Sequence, residues 1–228
     1  MKRSEVNNAI SWAKTLLIKE NITLPIFAYW DCDEWIKNKN QLDMVRKTML
    51  GWDVTDYGLD TYSDIGGVLF TIRNGDQNDN SIGVPYAEKY ILLEDGQGLP
   101  THFHFSKTED IINRAGGVLA LKLNNVKKDE SIDHESDVVV YMDGIKKILK
   151  AGEIVTVPVG SSITLTPFMY HSFWAVEGKG DLVVGEVSAV NDDNVDNRFN
   201  PKMPRFGKIV EDEATIHPLC NEYEDLLK

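Results

Sequence analysis

From residue 67 to residue 190 the chain is a series of short apolar and β-branched runs, each cut off by turn residues. The runs cover residues 67–73, 86–93, 118–123, 138–142, 154–159, 162–166, 171–176 and 182–190, with a further short strand over residues 101–105 that starts sharply after Pro100. Their lengths and their content of Val, Ile, Phe and Tyr are those of β-strands. Asn74-Gly75 and Asn78-Asp79-Asn80 mark turns, and Asp143-Gly144 between two apolar runs is a hairpin signal. No helical segments alternate with the runs, so the reading is a mainly β, antiparallel barrel or sandwich.

The flanks read differently. Residues 4–19 form an amphipathic helix, with Val6, Ile10, Ala13 and Leu17 at helical spacing, Ser4 as N-cap and Lys19 near the negative end of the dipole. A short second helix starts at Asp33, a third covers 42–49, and Gly51 stops it. These helices are expected to cover a sheet. After Val190 a polar loop, Pro201, Pro204 and Gly207 imply irregular structure, and Glu211-Asp212-Glu213 reads as a solvated face. A chain of 228 residues is expected to be a single domain: a helical extension at 1–50, a β-barrel core at 51–190 and an irregular extension at 191–228.

Within the β region, Thr101-His102-Phe103-His104-Phe105 stands out. Residues two apart on a strand share a face, so His102 and His104 aim into one space while Phe103 and Phe105 face the other way. A short turn can return Glu109 to the same point. Two neutral imidazoles and a carboxylate suit a divalent transition metal with open positions. A His-x-His pair alone also arises by chance on exposed strands. Here His171, in the run Tyr170-His171-Ser172-Phe173-Trp174, adds a third strand histidine out of five in the chain, and metal binding becomes the stronger reading.

Bulk composition narrows the partners. The net charge of −12 opposes nucleic-acid phosphates. No apolar stretch approaches the roughly 20 residues that span a bilayer, and the first residues lack the apolar run of a secretory leader. A cytoplasmic protein is the expectation. Cys32 and Cys220 form no CxxC, and nothing in their spacing supports a disulfide or a zinc site.

The metal stretch resembles the first motif of the cupin family, G-x5-H-x-H-x4-E-x6-G, with Gly96, His102, His104, Glu109 and Gly116 at all five fixed positions. The second motif, G-x5-P-x-G-x2-H-x3-N, is matched at Gly160 and His171, while Thr166, Phe168 and Ala175 replace its Pro, Gly and Asn. These departures put the turn before His171 in question. The resemblance implies a jelly-roll-like cupin barrel whose metal ligands are His102, His104, Glu109 and His171.

A closer resemblance, to the D-lyxose isomerase family, covers nearly the whole chain. It is carried by Leu50-Gly51-Trp52-Asp53-Val54-Thr55, Tyr86-Ala87-Glu88-Lys89, Glu109-Asp110-Ile111-Ile112-Asn113-Arg114, Tyr170-His171-Ser172-Phe173-Trp174, Gly185-Glu186-Val187-Ser188, Val190-Asn191-Asp192-Asp193 and Leu219-Cys220-Asn221-Glu222-Tyr223. It implies interconversion of D-lyxose with D-xylulose and of D-mannose with D-fructose, usually with manganese. The ligand set itself also suits zinc, cobalt, iron or nickel.

Such a reaction needs a base near carbon and an acid near oxygen. Glu186, among apolar neighbours, is the candidate base, and its burial is expected to raise its pKa, with the metal pulling the other way. Lys89 shares strand parity with Ala87, Ile91 and Leu93. Parity leaves open an inward site or a solvated edge, and the resemblance assigns it proton transfer or charge stabilisation. Arg114, Asp192, Asp193 and Trp174, the last with Phe173, are candidate sugar contacts. A cupin oxygenase, a non-enzymatic sugar- or metal-binding cupin and a sugar epimerase are the competing readings. A homodimer is the default assembly.

Overall fold

The computed structural model describes residues 1–190, 192 and 196–227. The described strands form two antiparallel sheets. In chain order they are β1 (Gly51–Thr55), β2 (Gly67–Gly75), β3 (Gly83–Leu93), β4 (Gly98–His104), β5 (Glu109–Gly116), β6 (Leu119–Val126), β7 (Ile132–Asp133), β8 (Val138–Met142), β9 (Ile145–Leu149), β10 (Ile154–Val157), β11 (Ser162–Leu165), β12 (Met169–Ala175), β13 (Leu182–Ser188) and β14 (Asn197–Phe199). The larger sheet runs β1-β2-β3-β13-β5-β11-β8-β9 and the smaller runs β10-β6-β12-β4-β14, with β7 beside β6. The mainly β expectation therefore holds, and the Asp143-Gly144 hairpin joins β8 to β9 with both residues at positive φ.

Alternation sorts the larger sheet into two faces. Leu69, Ile91, Leu93, Ile111, Ile163 and Val184 face the smaller sheet, where Leu119, Leu121, Leu123 and Phe173 meet them. Val68, Phe70, Leu92 and Val183 face outward and are covered by α1 (Arg3–Lys19) through Val6, Ile10, Ala13 and Leu17. Burying each larger aliphatic side chain contributes about 1.5–3 kcal/mol, enough to hold a helix whose isolated form would be marginal.

The helix ends differ from the sequence reading. Lys2, not Ser4, occupies the N-cap of α1, and the Lys2 N–H donates to Glu5 Oε2 at 2.6 Å. Ser4 lies inside the helix and donates through Oγ to Asp212 at 2.8 Å. The second helix, α2 (Cys32–Asn38), begins earlier than expected because Asp31 and Glu34 form a reciprocal capping box. The third, α3 (Asp43–Lys47), ends before Gly51, and the chain turns at Met49, whose φ is +51°; Gly51 opens β1 instead.

Two further stretches matter for the site. β5 starts directly at Glu109, because the chain reverses within Ser106-Lys107-Thr108. Gly116 ends β5 at φ +85°, where a Cβ would meet the Asp181 carbonyl oxygen at 2.2 Å, so only glycine fits. The tail, read as irregular, supplies β14 at the edge of β4, with Phe199 opposite His102 and Asn197 opposite His104. It ends in α4 (Tyr223–Leu226), where Tyr223 stacks on Trp35 at 4.5 Å. Cys32 and Cys220 are not joined in a disulfide.

Candidate active site

β4 and β12 lie side by side, and their register sets His171 directly opposite His102. Strand alternation puts His104 on the same face. The ligating nitrogens of His102, His104 and His171 lie within 4.8 Å of one another, and all three residues are buried. Phe103 faces the other way into an aromatic cluster with Phe105 and Tyr170, as alternation predicts. His102 Nδ1 donates to the Pro100 carbonyl at 2.8 Å, and His171 Nδ1 donates to the Met169 carbonyl at 3.0 Å. Each bond fixes a tautomer with Nε2 as the lone-pair nitrogen. His104 Nδ1 lies 3.8 Å from the Asp196 carboxylate.

Glu109 reaches the cluster from the larger sheet. Its Oε1 is 3.2 Å from His171 Nε2 and 3.4 Å from His104 Nε2. Neither contact has hydrogen-bond geometry, so all three atoms are buried without a hydrogen-bond partner. An unsatisfied buried polar atom costs about 1–3 kcal/mol. Several lone pairs converging on one dry point fit a divalent cation. Burial, and then the neighbouring His171 and His104, hold His102 well below its usual pKa, in the neutral form that a ligand requires. Burial pushes Glu109 up, but the Lys107 ammonium and then His104 outweigh it, and its pKa lies well below the usual carboxylate range.

A second group of charges adjoins the first. Across β2, β3 and β13, Thr71 pairs with Lys89 and Lys89 pairs with Glu186; Ser188 pairs with Glu109 of β5. These residues share the inner face, so at this level the face changes from apolar to ionisable. Lys107 Nζ lies 2.8 Å from Glu109 Oε2 and 2.9 Å from Glu186 Oε1. Lys89 Nζ is 3.7 Å from the same Glu186 oxygen, and Ser188 Oγ donates to it at 3.3 Å.

The expected raised pKa of Glu186 is corrected here. Burial does push it up, but Lys107 and then Lys89 outweigh burial, and the net shift is downward.

The candidate residues divide by position. His102, His104, Glu109, Lys89 and Glu186 line one cavity, and His171 lies against it. Trp174 does not: it is out of phase with His171, half-buried, with Cβ over the backbone of Gly98. Phe173 borders the cavity instead. Arg114 is exposed and lies over the outer side of Gly185, so it is not a sugar contact in this geometry. Asp192 lines an adjoining cavity. Asp193 lies outside the described residues.

Lys107, Asp196 and Arg205 were missed. Asp196 accepts from the N–H groups of Ser106 and Lys107 at 2.9 and 3.2 Å, which fixes the turn carrying Lys107. A spacing of two back from Glu109 reaches Lys107 and was the one available signal. Asp196 and Arg205 come from a segment without periodicity.

The turn before His171 forms without the motif glycine. Phe168 takes φ +57°, a conformation that costs a non-glycine residue about 1–3 kcal/mol. Its N–H donates to the His104 carbonyl at 2.9 Å, and its ring meets Phe103 at 5.7 Å and Phe105 at 5.9 Å. These contacts hold the strained residue.

Two curled antiparallel sheets, with three imidazoles and a carboxylate converging between them, define a cupin. The same fold occurs in the L-ribose isomerase of Cellulomonas parahominis, which matches with a TM-score of 0.59 at 15% identity over 92% of this chain and 98% of that one. The chain belongs to the D-lyxose isomerase family, whose family model matches residues 1–223. It is 41% identical to the D-lyxose/D-mannose isomerase of Escherichia coli O157:H7 over 228 residues, covering 98% of each chain. It is equally similar, over 224 residues and 98% of each chain, to the D-lyxose/D-mannose isomerase of Serratia proteamaculans.

Proposed function

We propose that the protein is a metal-dependent aldose–ketose isomerase that interconverts D-lyxose with D-xylulose, and D-mannose with D-fructose, through an enediol. The observation that carries this reading is the placing of a carboxylate and two lysines beside the histidine cluster in one buried cavity. The names of the two curated relatives supply the sugars.

His102, His104, Glu109 and His171 are the residues that would hold a divalent ion, proposed as manganese. When bound, such an ion supplies Lewis-acid polarisation of the sugar carbonyl. Glu186, kept ionised by Lys107 and Lys89, takes the proton from C2 of the aldose and returns it to C1 of the ketose. Lys107 fixes the carboxylate through the 2.9 Å contact. Lys89, 3.7 Å from the same oxygen, serves the sugar oxygens: it gives a proton to O1 as charge develops there and takes one back from the O2 hydroxyl, so the ketose forms with no net change in protons. Leu69, Ile91, Leu99 and Phe173 border the cavity, and an apolar wall of low dielectric strengthens each of these interactions. The working unit is proposed as a cytoplasmic homodimer. Among the described residues no helix is long and apolar enough to cross a membrane, and light scattering that returns the mass of one chain would remove the dimer.

A sugar panel on metal-stripped protein tests the reading. Stripped protein is expected to be inactive. Added manganese restores turnover of lyxose and, more weakly, of mannose. Full turnover after complete metal removal would overturn the mechanism.

A further inference from the structure

The cavity beside the histidines is small, about 30 Å³. That holds one or two waters, far less than a pentose. A larger cavity of about 170 Å³ adjoins it. Leu69 and Arg205 line both. Asp53 and Thr71 line only the larger one, and they continue the inner face of the site: Asp53 pairs with Leu69 across β1 and β2, and Thr71 pairs with Lys89 across β2 and β3.

Arg205 stands at the junction of the two cavities. Its guanidinium is ion-paired with Asp53, and the two side chains are only 10% and 5% exposed. Thr55 Oγ1 donates to the Arg205 carbonyl at 2.9 Å, and the guanidinium lies 4.9 Å from the Phe206 ring and 5.9 Å from the Tyr57 ring. A rigid donor fork and a carboxylate are thus held side by side. Together they offer what a sugar hydroxyl needs, an acceptor for its proton and a donor for its lone pair. Beyond the pair, Asp192 forms part of the outer wall.

We propose that the two cavities form one bent sugar channel. C1 and C2 lie beside the histidines, and the Asp53–Arg205 pair bonds the hydroxyls further along the chain. The outer cavity, walled in part by Asp192, takes the sixth carbon and sets the balance between hexose and pentose. This rests on the isomerase reading and adds to it a specificity site supplied by β1 and the C-terminal segment.

The test uses the manganese-loaded full chain and the variants Arg205→Lys, Asp53→Asn and Asp192→Asn. KM and kcat are measured for D-lyxose and D-mannose, and calorimetry gives the affinity for the unreactive polyols xylitol and D-mannitol. Arg205→Lys and Asp53→Asn are expected to raise KM about tenfold or more for both sugars, with metal content unchanged. Asp192→Asn, at a half-buried position, is expected to weaken D-mannitol about threefold more than xylitol. If the two buried variants fail to fold, Asp192→Asn decides alone. Unchanged KM and polyol affinities, losses confined to kcat, or equal effects of Asp192→Asn on both polyols overturn the channel. Wild-type protein that turns over neither sugar overturns the isomerase reading, and this proposal with it. An active wild type with unresponsive variants overturns the channel alone.

Discussion

Arg3 and Lys107 are both buried cations between two carboxylates, 2% and 3% exposed, yet their surroundings differ. Arg3 ties the start of α1 to the tail. It donates to Glu211 at 2.9 and 2.7 Å and to Glu222, and neither carboxylate is fully buried. The hydrogen bond to Glu211 raises the Arg3 pKa further, against the opposing effect of burial. Among the described residues no buried polar atom of this trio lacks a partner. Lys107 lies between Glu109 and Glu186, both closed off from water, while Glu109 Oε1 and the Nε2 atoms of His104 and His171 have no hydrogen bond. One cluster completes itself; the other is held incomplete by its neighbours. Unspent hydrogen-bonding capacity in a dry place is what separates a candidate site from a structural seam.

The largest expected effect belongs to the incomplete cluster. Glu186→Gln should lower kcat by about 10²- to 10⁴-fold, the usual range for a lost general base, with manganese content by elemental analysis unchanged. Near-normal rates would take Glu186 out of the chemistry. Next, Lys107→Met and Arg3→Met should separate under denaturant. Without Lys107, two carboxylates stay buried side by side, at a cost of about 3–5 kcal/mol. Without Arg3, Glu211 and Glu222 can turn to water and the loss is about 1–3 kcal/mol, with turnover intact. Equal losses in the two variants would erase the contrast between the clusters.

The smallest effect lies at the seam. His217 is buried, donates through Nδ1 to the Trp30 carbonyl at 2.8 Å and has Lys14 Nζ 3.1 Å from Nε2, with Asp31 and Glu34 further off. Burial holds its pKa below the usual value; the Trp30 bond acts in the opposite direction, and Lys14 adds to the lowering. The unfolded chain therefore takes up this proton first. The stability contributed is present above about pH 6.5 and is lost as the pH falls through the depressed folded value. Between about pH 8 and about pH 5, the melting temperature of His217→Gln should fall less than that of the wild type. Parallel falls would remove His217 from the balance.

How far the site could be read in advance depended on the kind of signal. His102 and His104 were legible because alternation along one strand is a local rule, and Glu109 because a short turn has limited reach. Glu186 was legible in direction but not in charge state: its apolar neighbours gave the inward face, while the sign of its shift depended on Lys107, a turn residue without periodicity. Parity left Lys89 open between an inward site and a solvated edge, and sheet pairing with Glu186 placed it inward. Trp174 was misplaced because an aromatic beside a ligand histidine points away from it on a strand. Arg114 was misplaced for a related reason, since it lies over the outer side of the sheet.

Taken alone, the order of residues determined that the middle of the chain is a series of short strands, which side chains along a strand share a face, and that a helix would lie on one sheet. Those are short-range matters of sterics, turn geometry and apolar spacing. Only the folded arrangement decided that His171 stands opposite His102, that Glu109 and Glu186 share one lysine, and that Arg205 from the tail reaches Asp53 at the start of the barrel. Pairing over such distances along the chain depends on sheet order and register, which are fixed when both sheets bury their apolar faces together. No local pattern encodes that choice.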